Sequence, residues 1–499
     1  MIAVALVLVV ALGLSITLYL ARQSDFLERL ALAYCLGWGF LTLLMFCVSA
    51  LGIPLSLSSI ATPVVTITVI LSGIWWRREG KRLDDLKFHP GDALRRIRQG
   101  LRGPSILERA LLALVGVFLL YSLVMACYWP VHWWDAVTLY DLRARVFFDT
   151  HSIQETALRV QDPNYVMGLP PLTSLVHTWV YLAGGTNPKF FYSLLFASFL
   201  VISYYFMRVY SSRLGSLTFT ALLSSTFIFV DHSAHAPTNL PFACYYALAT
   251  AYLYRWILHQ RKADLILAGL SLGLSGWARA ESQVFFLGYL TILTFYSLRR
   301  KTYFAPLIFA LLYLSIEPLW ALYVTQVLHL PPTRGWTYVA GFVQMLAWSL
   351  FRSPRQLLGW TGLGTSAAAV FGGSFANWVA SQPCSQEGSQ LLTALGIVGR
   401  QLLESHSVSL CLFLVTAGLN VRNVKEHGYL FALAVSNLVL FVGAALVFVQ
   451  IAPDSPVPLF AAGRLFMLVS PTLLYYAAST KPVRDLFDAH RIAPSRRPS

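Results

Sequence analysis

One carboxylate, Asp135, stands directly behind two tryptophans in the string HWWDAVTLYDLRARVFFDT, His132 to Thr150. Most of the remaining chain is apolar. A carboxylate shielded by Trp133 and Trp134 suits a general base. The plainer reading is a helix N-cap, since Asp is favoured there and a helical pattern follows. In that pattern Val137, Tyr140, Ala144, Phe147 and Phe148 fall near one face. Asp141 and Arg145 border that face on one side and Arg143 on the other, the layout of a helix at a membrane–water interface. Asp141 and Arg145, four residues apart, read as a surface support pair.

Other groups with chemistry are few. Asp231, His232 and His235 are spaced like metal ligands, but zinc needs three or four ligands in a defined geometry. No convincing local set is present, and a solvated polar turn, Asp231 to Asn239, is the expectation. Arg279 and Glu281, in SGWARAESQ, either pair with each other or face a cavity as binding residues. Arg464 stands where a Pro-rich loop, Ile451 to Arg464, enters a helix. A guanidinium at a helix N-terminus makes a phosphate site; the alternative is a snorkelling interfacial arginine.

The elements that must position these groups are long apolar segments. The 499 residues are 57% hydrophobic and 12% charged, about half the charge of a soluble domain. Apolar runs of about 17 to 23 residues suffice to cross a hydrocarbon core of ~30 Å. The net charge of +15 does not indicate nucleic acid. The basic residues sit in short segments between apolar runs, as in cytoplasmic loops, and anionic lipid headgroups are their expected partners. Cys35, Cys47, Cys127, Cys244, Cys384 and Cys411 show no CxxC or dense cluster, so neither a disulfide framework nor a zinc site is indicated. Ile2–Leu20 lacks a basic n-region and reads as a retained helix.

Spans are expected near Ile2–Leu20, Leu30–Ala50, Ser59–Trp76, Ala110–Tyr128, Phe190–Met207, Leu214–Val230, Leu240–Trp256, Leu265–Trp277, Val284–Leu298 and Phe304–Thr325. The segments Val339–Leu350 and Leu357–Val379 read as two short crossings or outer-leaflet helices. An outer stretch near Gln382–His406 follows, then Val408–Asn420, Gly428–Val449 and a last span ending at Ser479. The helix over Pro170–Ala183 is short and Gly184–Gly185 stops it. Two full spans before Arg208 would break the charge rule, so it is expected either not to cross completely or to lie at the outer interface. The basic stretch Arg77 to Ser105 and the tail from Lys481 are placed in the cytoplasm. The Asp135 loop then lies outside. The expected fold is all-α, a polytopic transmembrane helical bundle of about 13 to 15 spans with an extracytoplasmic catalytic loop. Residues 1–107 read as a three-span extension, 108–480 as the core and 481–499 as a tail.

The strings WWDAVTLYDLRARVFF, the PPL-initiated helix, APTNLPFACYYALATAYLYRW, GLSLGLSGWARAES and AAGRLFMLVSPTLLYY occur in an order that resembles the GT-C superfamily of membrane glycosyltransferases. They are similar to bacterial relatives of protein O-mannosyltransferases and the lipid A aminoarabinose transferase. The resemblance covers most of Tyr128 to Tyr476. It implies a polyprenyl-phosphate-linked sugar donor, a glycan, lipid or protein acceptor, and an active site at the outer face, as in a bacterial inner membrane. Asp135 would activate the acceptor hydroxyl; Arg464 and Arg279 would hold the phosphate. Trp133, Trp134, Tyr140, Asp231, His235, Asn239 and Glu281 would contact substrate. Many relatives carry a second acid where this chain has Asn239. That departure puts a metal bridged by two acids in doubt, so Mg or Mn is not indicated as a cofactor. The competing class is a lipid or lipid-linked-sugar transporter.

Overall fold

The apolar runs become helices whose ends follow local chemistry. In the computed structural model, residues 1–79, 105–154, 169–329, 406–423, 427–451 and 457–489 are described, and among them there is no strand. The first helices are α1 (Ile2–Leu20), α2 (Phe26–Ala50), α3 (Leu57–Glu79) and α4 (Ile106–Tyr128). α4 starts at a full capping box: Ser105 Oγ accepts from the Glu108 N–H at 3.2 Å, and the Ser105 N–H donates to Glu108 Oε2 at 2.9 Å. Two orphan N–H groups are thereby satisfied. α1 and α2 cross closely because Gly13 faces the Ala33 carbonyl and Gly37 faces that of Val9, with no room for a Cβ at either. Small residues allow this approach between apolar helices.

After α4 the chain forms a π-helical turn, Ala136–Asp141, running directly into α5 (Leu142–Thr150). α6 (Leu172–Leu182) follows, only 11 residues long and so ~16 Å at 1.5 Å per residue. It ends as expected at Gly184, whose φ of 81° is the left-handed conformation glycine tolerates. Ten of its residues are buried, so it is an interior helix. Next are α7 (Phe190–Met207), α8 (Arg213–Ser225), α9 (Phe227–His235), α10 (Asn239–His259), α11 (Lys262–Ala278), α12 (Ser282–Arg300), α13 (Phe304–Leu314) and α14 (Leu319–Gln326). A helix over His406–Leu419, α15, precedes α16 (Gly428–Ile451), α17 (Val457–Ser479) and the short α18 (Lys481–Ala489).

Among the described residues five helices, α1 to α4 and α7, are long and apolar enough to cross a membrane, or up to seven segments if each bent pair is one span. The architecture is thus an all-helical bundle compatible with a multi-pass membrane protein. Two of the expected spans, Leu214–Val230 and Phe304–Thr325, are not continuous. α8 and α9 meet at 59°, and α13 and α14 at 47°. Thr226 is extended at the first break. At the second, Pro318 precedes α14, and proline cannot donate to the preceding turn. The interior helix α10 is wrapped by protein, with Tyr245, Tyr246, Tyr252 and Tyr254 all buried. The segments Val339–Leu350 and Leu357–Val379 lie outside the described residues.

The N-terminal helices pack into the bundle. Tyr245 donates to the Cys35 carbonyl at 2.7 Å, and Trp277 Nε1 donates to Thr42 Oγ1 at 3.2 Å. Contacts sort the molecule into two ends. At one, Glu28 pairs with Arg255 and Glu108 with Arg213, and Gln260 Nε2 donates to Tyr296 Oη at 2.7 Å. At the other, the Ile153 N–H donates to Ser49 Oγ at 3.0 Å, and Thr238 Oγ1 donates to the Ala278 carbonyl at 3.1 Å. Asp135 and Arg279 belong to this second end.

Candidate functional site

Asp135 reaches its position through the turn after α4. Lys189, 1% exposed, donates from Nζ to the carbonyls of Met125 at 3.3 Å, Trp129 at 3.1 Å and Pro130 at 3.4 Å. It caps the end of α4 and fixes the lead into the loop; burial lowers its pKa to about 8. The chain then enters the π-helical turn. Such turns widen the backbone and recur at functional sites.

The Asp135 carboxylate makes no capping hydrogen bond. Instead Oδ2 accepts from Arg464 Nη1 in an ion pair. The N-cap reading therefore fails on geometry: Asp135 is already helical, at φ −58° and ψ −41°, whereas a capping residue is extended. The Arg464 guanidinium lies 5.4 Å from the Trp133 ring centroid, a cation–π distance. Trp133 stacks in turn on His235 at 4.9 Å and meets His232 edge-on at 5.7 Å. His235 Nδ1 lies 3.0 Å from Asp231 Oδ1 and 2.8 Å from the Asp231 carbonyl. One continuous set thus runs from Asp135 through Arg464, Trp133 and His235 to Asp231.

Three expectations change here. Trp134 does not shield Asp135: it is 72% exposed, and only Trp133 turns inward. Arg464 is not at a helix N-terminus, because α17 begins at Val457 and places it about two turns inside, beyond the reach of free N–H groups. Asp231 and His235 are not in a turn. They form the last turn of α9, which stops at Ala236 with φ 64°, and their four-residue spacing puts both on one face. Among the described residues no group of three or more His, Cys, Asp or Glu is placed to hold a metal ion.

A second set adjoins the first. Arg279 donates from Nε to Glu281 Oε2 at 3.2 Å and from Nη2 to Oε1 at 2.5 Å, and from Nη1 to Asn239 Oδ1. The mutual pairing held open for Arg279 and Glu281 is present, with Asn239 as third partner. Burial works against the Arg279 charge, but Glu281 beside it outweighs that and raises the pKa. Tyr140 is buried against Leu139 and Leu169. Burial pushes its hydroxyl up to about 12, while Arg279 pulls the other way.

The loop helix is locked from behind by residues read as surface. Asp141 is buried; its Oδ1 lies 3.1 Å from His177 Nδ1 and accepts from Tyr181, and its Oδ2 accepts from Arg145 Nε at 3.0 Å. Burial raises its pKa, but these partners overcome that and hold it at about 2. His177 Nε2 continues to Tyr192 Oη at 2.9 Å. Arg143, fully buried, donates to Ser174 Oγ at 2.8 Å and to the Leu169 and Pro170 carbonyls at 2.7 and 2.9 Å. The interfacial-helix reading of α5 is corrected in part: Asp141 and Arg143 are buried against protein, while the Arg145 side chain stays 60% exposed. The sequence signal for this lock is His177, a lone imidazole in the apolar string LTSLVHTWVYL.

No family model, curated protein or solved structure matches the chain.

Proposed function

We propose that the chain is a membrane glycosyltransferase that moves a sugar from a polyprenyl-phosphate donor to the hydroxyl of a glycan, lipid or protein acceptor. The observation that carries this reading is the Asp135–Arg464 pair, a carboxylate and a guanidinium held against Trp133. A lipid phosphate offers Arg464 two oxygens in place of one carboxylate oxygen, a match to its planar fork. Arg464 shifting to phosphate frees Asp135 to accept the acceptor's hydroxyl proton. The acceptor oxygen bonds to the anomeric carbon as the bond from that carbon to the phosphate oxygen breaks. The electron pair leaves on the phosphate, where Arg464 meets the growing charge, and attack from the opposite face inverts the centre. The proton then passes from Asp135 to water, to which its side chain is 32% exposed. Arg279, held by Glu281 and Asn239, stands behind this pair as a second positive charge.

The end carrying Asp135 is the outer face in this reading, and the opposite, basic end is cytoplasmic. A second reading, transport of a lipid-linked sugar, is favoured by the two bent pairs, since broken helices are a transporter feature. One experiment separates them. The purified protein is given polyprenyl-phosphate-linked glucose, mannose or pentose with a mixed pool of hydroxyl acceptors, in vesicles. Release of polyprenyl phosphate with sugar on an acceptor supports transfer. Movement of intact donor across the bilayer without cleavage of the sugar–phosphate bond would sink it.

A further inference from the structure

The basic end, far from Asp135 along the helices, carries a pocket of about 210 Å³. It opens between the end of α1 with its following linker and the first turn of α11. A water molecule needs only ~10–15 Å³ on this scale, so the space takes a small organic group. Two kinds of chemistry meet in its lining. Arg22, Arg255, Arg261 and Lys262 are cationic. Arg255 is committed to Glu28, whereas Arg261 and Lys262 are exposed and stand at the N-cap and first position of α11. Unbonded N–H groups and the helix dipole reinforce their attraction for an anion.

The one acid in the lining is Asp264, 7% exposed, with an Oδ2 that has no hydrogen-bond partner among the described residues. A buried carboxylate oxygen without a donor costs free energy. A simple anion would be repelled by this carboxylate. A phosphate carrying an N–H donor a few bonds away satisfies both halves of the lining. Tyr19 and Leu20 add an apolar wall continuous with α1, a long apolar helix with only a third of its length buried by protein, along which acyl chains can lie.

We propose that this pocket binds the headgroup of a phosphoethanolamine lipid, with phosphate at Arg261 and Lys262 and ammonium at Asp264. The test is native mass spectrometry of the purified full chain in detergent, with phosphatidylethanolamine or phosphatidylcholine added. The two lipids share the phosphate and net charge; the second lacks an N–H donor. The wild type is expected to retain phosphatidylethanolamine about tenfold better, the scale of one charge-assisted hydrogen bond. Arg261→Ala with Lys262→Ala lowers retention of both lipids about tenfold. Asp264→Asn keeps lipid binding but brings the ratio near one. Soluble phosphoethanolamine, lacking acyl chains, does not displace the lipid. Equal retention of the two lipids by the wild type, or unchanged retention in the double variant, overturns the proposal. Complete displacement by soluble phosphoethanolamine overturns the lipid assignment in favour of a free phosphate compound.

Discussion

Asp135 and Arg464 lie 329 residues apart in the chain and form an ion pair beneath which Trp133 is stacked. Both side chains are partly open to solvent, 32% and 25% exposed. Such a pair contributes little to stability, about 0–1 kcal/mol. In the proposed mechanism a lipid phosphate separates the two groups.

The first prediction follows from that balance. Asp135→Asn removes the basic carboxylate at nearly constant size. Transfer should fall ~100-fold or more, the usual loss for a general base, while the melting temperature stays close to wild type. Initial rates and thermal melts on the same preparations check it. A large loss of stability with a proportionate loss of activity would make Asp135 structural.

Arg464 should show the complementary pattern. Arg464→Lys keeps the charge but not the fork that holds two phosphate oxygens, so polyprenyl phosphate binds more weakly; Arg464→Ala binds it more weakly still. Equal affinity in wild type and both variants, by titration calorimetry in detergent, would remove Arg464 from the phosphate site.

The lock behind the loop is a matter of folding. Asp141 has its pKa held at about 2, below the ordinary 3.8. A depressed carboxylate stabilises the fold above its unfolded pKa and loses that contribution as pH falls through the folded value. The melting temperature should thus be flat above pH ~5 and drop between pH ~4 and ~2, with about 2 kcal/mol at stake. Asp141→Asn should flatten this drop and lower stability at neutral pH by ~1–3 kcal/mol. An unchanged acid limb in the variant would show that Asp141 does not carry it.

The long elements were legible because a run of apolar residues bounded by charge admits few readings. Ile2–Leu20 and Phe190–Met207 form helices over the expected residues. Pro318 could have signalled the bend before α14; Thr226 offers no comparable sign for α8 and α9. The string around Asp135 was visible as chemistry, but its partner was not. Nothing local in AAGRLF ties Arg464 to a carboxylate 329 positions earlier. Asp141 and Arg143 were misread because helical periodicity reports which side chains share a face, not what covers that face. Here α6 and the Leu169–Pro170 carbonyls cover it. Lys189 escaped notice for the same reason, since its role depends on carbonyls at the end of α4.

Sidedness is a separate matter of charge. Cysteines introduced singly at Gly91 and Ser152, in a background without the native ones, should react differently with an impermeant thiol reagent on intact cells. Ser152→Cys is expected to label and Gly91→Cys to be protected. The reverse pattern would put Asp135 on the cytoplasmic side.

The most direct test of the central claim is release of polyprenyl phosphate from a polyprenyl-phosphate-linked sugar, counted against sugar appearing on an acceptor. It is measured side by side for wild type, Asp135→Asn and Arg464→Ala. Matched release and transfer are expected of the wild type. Asp135→Asn should bind donor normally yet turn over ~100-fold more slowly; Arg464→Ala should fail at binding as well. Wild-type protein that binds the donor and never breaks the sugar–phosphate bond, or an Asp135→Asn variant that turns over at the wild-type rate, would contradict it.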